Sequence, residues 1–215
     1  MYDLKNVSYI RIHDLPSILS AAAAGKEIEE PKVITEIEAS QDYLFTHAVW
    51  GPLNKSLFVA TSNGKLLEYN ASTGGLIKEE QVHKSEIFQI HMTHDFTMLT
   101  TCSRDGHAKI LNRETFKEVR SFDYGKPCRT ASVSPLFDDP EQMKFHIICA
   151  GGQEARDVAL TGIDEGGFEM KLFSVIFQDK LSEIHGHFGP VHSVDFSPDG
   201  FAFASGSEDG YVHYH

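Results

Sequence analysis

Short runs of alternating apolar and polar residues recur along this chain, and clusters of Gly, Pro, Asp and Asn separate them. The pattern is clearest in residues 186–215, where residues 191–196 and 201–206 alternate on either side of a Ser-Pro-Asp-Gly sequence. A Glu-Asp-Gly sequence then precedes residues 211–215. Alternation with a period of two, interrupted by turn-forming residues, is typical of short antiparallel strands. This segment is therefore predicted to form three strands joined by two tight turns.

The same pattern predicts further strands upstream. Asn63-Gly64 is a strong hairpin signal, because both residues tolerate the backbone conformation of a two-residue turn. Residues 16–31 include a run of four alanines and are predicted to be a surface insertion with partial helical character. Turns are predicted at residues 51–54 and 74–75, and the upstream strands at residues 9–15, 32–38, 45–50, 57–61, 65–70, 128–134, 145–150, 157–161 and 168–175.

Residues 83–112 repeat the pattern of residues 187–215 without a gap. Asp105 lies 42 residues after Asn63 and 104 residues before Asp209, a distance that equals two units of 52. Four-stranded units at such spacings indicate a β-propeller. The alternative, a β-sandwich with regular hairpins, gives no reason for a gapless self-match. The chain is therefore predicted to be an all-β WD-repeat β-propeller, with residues 1–215 in one domain.

A histidine opens each of these two repeats, and an aspartate occupies the turn between the second and third strands. In WD repeats such a pair forms a buried hydrogen bond that a serine or threonine extends. The buried imidazole and the buried carboxylate thus each provide the hydrogen-bond partner that the other needs. The alternative is a catalytic His-Asp dyad, which the recurrence of the pair without a nearby nucleophile disfavours. The predicted structural hydrogen bonds involve His83, Ser103, Asp105, His187, Ser207 and Asp209.

The charge balance argues against direct nucleic-acid binding. The chain has 31 acidic and 19 basic residues, a formal net charge of −12, whereas affinity for nucleic acid comes largely from neutralised phosphates. Its three cysteines form no CxxC pair, which is typical of a reduced, cytoplasmic protein. No signal sequence or membrane-length apolar run is present. We therefore expect a cytoplasmic chain without direct membrane contact.

Two His-x-His pairs, His185 with His187 and His213 with His215, have a spacing that some metal sites use. A structural role is favoured, because His187 already belongs to the predicted hydrogen bond and no third ligand has a recognisable spacing. The Gly-rich segment at residues 151–157 lacks both GxGxxG and a Lys-Ser/Thr ending, which disfavours a phosphate site. No metal, cofactor or catalytic residue is predicted.

Several specific motifs resemble one WD-repeat family. They are WGPLNK at residues 50–55, GGQEA at 151–155, GHFGP at 186–190 and EDGYV at 208–212. Within correctly spaced repeats, these motifs are similar to those of the subunit i family of eukaryotic translation initiation factor 3. The resemblance implies a seven-bladed, non-catalytic scaffold that binds a C-terminal helix of subunit b, lies near subunit g and reaches the small ribosomal subunit indirectly.

Carried over by position, the resemblance places the partner contact in the blade at residues 83–112. Asp95 is the acidic residue expected to meet an arginine on the partner helix. Ile110 is an apolar contact or, equally, a residue of the blade core. Asn112 stands where the family pattern has an acidic residue, which weakens the expectation for that position.

The implied blades are a remnant at residues 1–38, full units at 43–80, 83–122 and 127–176, and an incomplete unit at 187–215. About four and a half of seven blades leave an open, incomplete ring, so we expect a fragment or a chain completed by strands from elsewhere. The alternative function is a WD-repeat signalling adaptor. An enzyme is disfavoured, because no convergent set of acid, base or metal ligands is visible.

Overall fold

A computed structural model describes residues 8–14, 19, 32–135, 145–153 and 167–215. These residues form seventeen β-strands and one short 3-10 segment at Pro52–Asn54. The strands are β1 (Tyr9–His13), β2 (Val33–Glu38), β3 (Phe45–Trp50), β4 (Ser56–Thr61), β5 (Lys65–Asn70), β6 (Leu76–Gln81), β7 (Ile87–Met92), β8 (Met98–Ser103), β9 (His107–Asn112), β10 (Glu118–Asp123), β11 (Cys128–Val133), β12 (His146–Gly151), β13 (Met170–Ser174), β14 (Lys180–Ile184), β15 (Val191–Phe196), β16 (Phe203–Ser207) and β17 (Val212–Tyr214).

The strands form five antiparallel sheets, each built from consecutive strands. We number these sheets as blades: blade 1 is β1–β2, blade 2 is β3–β6, blade 3 is β7–β10, blade 4 is β11–β14 and blade 5 is β15–β17. Successive meander sheets that stack face to face are the architecture of a β-propeller. The predicted all-β propeller fold is confirmed, and no described sheet closes on itself.

Blade 4 differs most from the sequence prediction. The strand predicted at residues 157–161 lies outside the described residues, and β13 pairs directly with β12. The fourth strand of this sheet is β14, which lies beyond the expected blade end at residue 176. Four of the five β14 residues are exposed, so the strand has no apolar alternation to reveal it. The outer strand β6 has the same character, with five of its six residues exposed.

Each hydrophobic core lies between two successive blades. Blades 1 and 2 share a core around Ile37 and Val59, and blades 2 and 3 share one around Phe58 and Ile90. The remaining cores join blade 3 to blade 4 and blade 4 to blade 5. Every residue of β4 is buried, because a central strand of a blade faces a neighbour on both sides. Apolar burial between sheets is thus the main stabilising term.

Polar side chains connect the innermost strands of neighbouring blades. Thr46 on β3 donates to the carbonyl of Ile87 at 2.6 Å. Between blades 4 and 5 the direction is reversed, and the Thr130 hydroxyl on β11 accepts the Val194 amide at 3.2 Å. The inner strand of a propeller blade has no β-partner on its channel side, so its backbone groups need other partners. These cross-blade bonds supply them and fix the relative positions of the blades.

Candidate functional site

Blade 3 contains a buried hydrogen-bond network centred on His83. Its Nδ1 lies 3.0 Å from Asp105 Oδ2, and its Nε2 lies 2.8 Å from Thr101 Oγ1. The Asp105 carboxylate also accepts the backbone amides of Lys84 at 3.0 Å and His107 at 3.1 Å. His83 is only 3% exposed. The network therefore ties the entry to blade 3 to the turn between β8 and β9.

Blade 5 repeats this network 104 residues later. His187 Nδ1 lies 2.9 Å from Asp209 Oδ2, and its Nε2 lies 2.8 Å from Ser205 Oγ. The Asp209 carboxylate accepts the amides of Phe188 and Tyr211 at 3.0 and 2.9 Å. Both predicted His-Asp pairs are thus in contact.

The hydroxyl that reaches each imidazole is not the predicted one. Thr101 and Ser205 take the places expected for Ser103 and Ser207, which instead stabilise the following turn. Ser103 Oγ accepts the Asp105 amide at 3.1 Å and donates to a loop carbonyl at 3.2 Å. Residues two apart on a strand share one face, so the sequence alone could not distinguish Thr101 from Ser103.

The order Asp105, His83, Thr101 resembles a catalytic relay, so the Thr101 hydroxyl has to be considered as a nucleophile. Thr101 has 0% exposure and Ser205 has 1%. A nucleophile needs contact with its substrate, and these hydroxyls are sealed between blades. The arrangement is suited to holding the blade together.

The Asp carboxylates of both networks have depressed pKa values. Burial alone would raise the pKa of Asp105, but the hydrogen bonds from His83 and from backbone amides outweigh it and hold the pKa well below its usual range. Burial likewise opposes the shift at Asp209, where the amides of Phe188 and Tyr211 and the His187 side chain lower the pKa to about 2. Both groups are therefore ionised in the folded protein above about pH 4.

These shifts predict acid sensitivity. A carboxylate with a lower pKa in the folded state contributes stability above its unfolded pKa of about 3.9 and loses it as pH falls towards the folded value. We expect the wild-type free energy of unfolding to fall between pH 4 and pH 2. Urea unfolding across this range should give a flatter profile for Asp209→Asn, which cannot titrate. Parallel profiles for the two proteins would contradict the assignment.

Asp95 lies in the exposed turn between β7 and β8. Its Oδ1 accepts the hydroxyl of Thr93 at 2.6 Å and the amide of Thr97 at 3.1 Å. Asp199 makes the same contacts in the corresponding turn of blade 5, with the Ser197 hydroxyl at 2.5 Å and the Phe201 amide at 3.1 Å. Asp95 thus has a turn-forming role that recurs where no partner contact was predicted.

Asn112 also has a local structural role. Its Oδ1 accepts the amides of Glu114 at 3.1 Å and Thr115 at 2.9 Å in the turn that follows β9. Asn70 caps the corresponding turn of blade 2 in the same way. Asn112 is exposed and lies at the same end of blade 3 as Asp95, because the Arg113 amide donates to the Thr97 carbonyl at 3.1 Å.

Ile110 is not a surface residue. It is 1% exposed and belongs to the core between blades 3 and 4, which is the second of the two roles considered for it. Its side chain lies instead in the floor of an apolar cleft of about 190 Å³ between these blades. The accessible lining of the cleft includes Val119 and Ile176, which are 39% and 50% exposed. These two residues were not predicted as a site, because the surrounding sequence does not distinguish them from other exposed apolar residues. The cleft is lined by Met98, Ile110, Val119, Arg120, Phe145, Val175 and Ile176.

In the structure, His187 and His215 of the two histidine pairs contact protein side chains. Both ring nitrogens of His187 are engaged with Asp209 and Ser205, although the His213 ring packs 4.4 Å from it. Within the described ranges, no three His, Cys, Asp or Glu side chains are arranged to hold a metal ion. A search of the same residues for an apolar helix of membrane-spanning length found none.

Comparison with known proteins identifies the repeat. Residues 74–112 and 178–215 match the WD domain, G-beta repeat family. The chain is similar to eukaryotic translation initiation factor 3 subunit I of Xenopus tropicalis, with 35% identity over 189 residues, or 88% of this chain and 56% of the relative. The Homo sapiens protein of the same name is 37% identical over 174 residues, or 81% of this chain and 51% of the relative. The chain therefore spans about half the length of these curated relatives.

Proposed function

Since this chain is a WD-repeat protein like subunit I of eukaryotic translation initiation factor 3, we propose that it acts as a non-catalytic scaffold in translation initiation. In this role it binds a C-terminal helix of subunit b, lies near subunit g and reaches the small ribosomal subunit through these proteins. Such a scaffold works in the cytoplasm and needs no cofactor. The proposal concerns only the part of the relatives to which this chain aligns, which is about half of their length.

The apolar cleft between blades 3 and 4 carries this proposal. It borders the blade to which the family resemblance assigned the partner contact, and Ile110 forms part of its floor. Amphipathic helices bind proteins by laying one apolar face into a groove of this kind. Val119 and Ile176 offer the accessible apolar surface, and burying such side chains drives association.

Polar groups around the cleft would orient the helix. Arg120 is held between the blades, since its Nε donates to the Val175 carbonyl at 3.2 Å, and its charge suits an acidic residue on the partner. Asp95 and Asn112 lie together at one end of blade 3. An arginine on the helix would meet the Asp95 carboxylate there, whereas Asn112 can provide only an uncharged contact.

The test is calorimetric titration of the full chain with a synthetic peptide of the subunit b C-terminal helix. Ile176→Asp should weaken binding at least about tenfold, because it places a charge in an apolar contact. The matched control is Ile77→Asp on the outer strand of blade 2, where the isoleucine is 56% exposed compared with 50% for Ile176. Equal affinity of the two variants would exclude the cleft as the helix site.

A second pair of variants tests the polar contact. Asp95→Lys and Asp199→Lys remove equivalent turn hydrogen bonds in blades 3 and 5, so their effects on folding should be similar. Only Asp95→Lys is expected to weaken peptide binding, by roughly tenfold. If Asp199→Lys weakens peptide binding as much as Asp95→Lys does, then Asp95 only stabilises its turn and does not contact the partner.

A further inference from the structure

A second depression lies where the inner strands of three blades end. It has a volume of about 350 Å³ and is bordered by the last residues of β7, β11 and β15 and by the residues that follow them. This size is at the lower end of the range of about 300–1,000 Å³ that small-ligand sites occupy. We call this depression the inner-strand groove. It is separate from the cleft at Ile110, with which it shares no lining residue.

Two buried polar atoms line the inner-strand groove without a hydrogen-bond partner among the residues that the structure describes. They are Ser134 Oγ at the end of β11 and His91 Nδ1 on β7. Ser134 is only 2% exposed. A buried polar atom that lacks a partner costs about 1–3 kcal/mol, so native proteins rarely retain two in one place without a reason. Ser134 Oγ can accept a hydrogen bond from a ligand, and His91 Nδ1 can do so in the neutral tautomer that carries its proton on Nε2.

The groove also carries negative charge at a fixed position. Ser132 on β11 donates to Asp195 Oδ1 at 2.8 Å, which holds this carboxylate at the end of β15. Asp195 Oδ2 receives no hydrogen bond from the described residues, so one face of the carboxylate remains open to a donor. Asp95 is a second carboxylate in the lining. Phe196 and Pro135 add apolar walls against which a planar group can pack.

From this geometry we propose that the inner-strand groove binds the guanidinium of an arginine on an extended segment of a partner protein. A guanidinium has five N–H donors in one plane and no acceptor. It therefore matches acceptors spread over Asp195, Ser134 and His91 better than a compact ammonium does. The net charge of −12 further favours a basic partner.

The experiment uses the full ¹⁵N-labelled chain and the capped tripeptide acetyl-Gly-Arg-Gly-amide, followed by NMR chemical shifts. The same peptide with citrulline in place of arginine is the matched ligand control, because it keeps the shape and loses the charge. We expect saturable shifts at residues 91, 134 and 195 with the arginine peptide and at least about tenfold weaker binding of the citrulline peptide.

Two variants test the protein side of the contact. Asp195→Asn should weaken binding of the arginine peptide roughly tenfold, although the asparagine side-chain oxygen can still accept a hydrogen bond from Ser132. Ser134→Ala should weaken binding of the same peptide a few-fold. Asp199→Asn, an exposed aspartate outside the groove, should bind like wild type. Equal binding of both peptides, or an unchanged affinity in Asp195→Asn, would overturn the proposal. Asp195 and Ser134 belong to the groove and not to the proposed helix contact, so their variants distinguish this proposal from the one on the cleft at Ile110.

Discussion

Replacing Asp105 by alanine is expected to lower the free energy of unfolding by about 3 kcal/mol, because three donors lose one shared acceptor. These donors are His83 Nδ1 and the backbone amides of Lys84 and His107. The His83 side chain is buried, so its imidazole has little access to water that could replace the carboxylate. Urea unfolding at pH 7, monitored by circular dichroism, measures the change.

The matched control is Asp123→Ala at the end of β10. Asp123 is exposed, and exposed substitutions usually change stability by less than about 0.5 kcal/mol. A double-mutant cycle of Asp105→Ala with His83→Ala should show strong coupling, since the second change removes the unsatisfied imidazole. Additive effects in this cycle, or equal losses for Asp105→Ala and Asp123→Ala, would show that the network does not stabilise blade 3.

Replacing Gly151 by alanine is expected to destabilise the protein by about 3 kcal/mol or more, through a steric clash in the core. A Cβ at this position would lie 2.1 Å from the Pro127 carbonyl oxygen and 2.8 Å from the Arg129 amide nitrogen. Both atoms belong to the backbone and cannot rotate away. Gly151 faces Cys128 where the pairing of β11 and β12 is irregular, so the innermost strand of blade 4 would have to move.

Gly206→Ala provides the control for Gly151→Ala. Gly206 also lies within a central strand, β16, but a Cβ added there meets no atom within 4 Å. Alanine should therefore be neutral or slightly stabilising, because glycine loses more backbone entropy on folding. The midpoint of thermal unfolding compares the two variants directly. If Gly151→Ala unfolds within a degree or two of Gly206→Ala, the close backbone approach is not important for stability.

Most strands of this protein, including the half-exposed β1 and β17, could be predicted from alternation and turn residues. Alternation and turn residues give β3 and β5 the bounds that the structure has, at Phe45–Trp50 and Lys65–Asn70. The outer strands β6, β10 and β14 were not predicted individually, because they lie at the rim of each blade, where at least half of their residues are exposed. An exposed strand is held by backbone hydrogen bonds, which leave no signature in the order of apolar and polar residues.

The His-Asp pairs could be located from the sequence, because the gapless repeat fixes both residues in each of two blades. The hydroxyl at the far side of the imidazole could not be located, because Thr101 and Ser103 share one face of β8. Their different roles depend on how far the His83 ring extends from the preceding loop. That distance is set by packing between strands.

By itself, the sequence determined the fold class, the repeat and the turns, since these depend on residues close together in the chain. Only the tertiary structure decided which of these residues a partner can reach. It buried Ile110 and created both the cleft and the inner-strand groove. Each depression is built from residues of different blades, such as Ser134 and Asp195. Stacking of the blades brings these residues together. The local order of polar and apolar residues does not predict which residues of different blades come into contact.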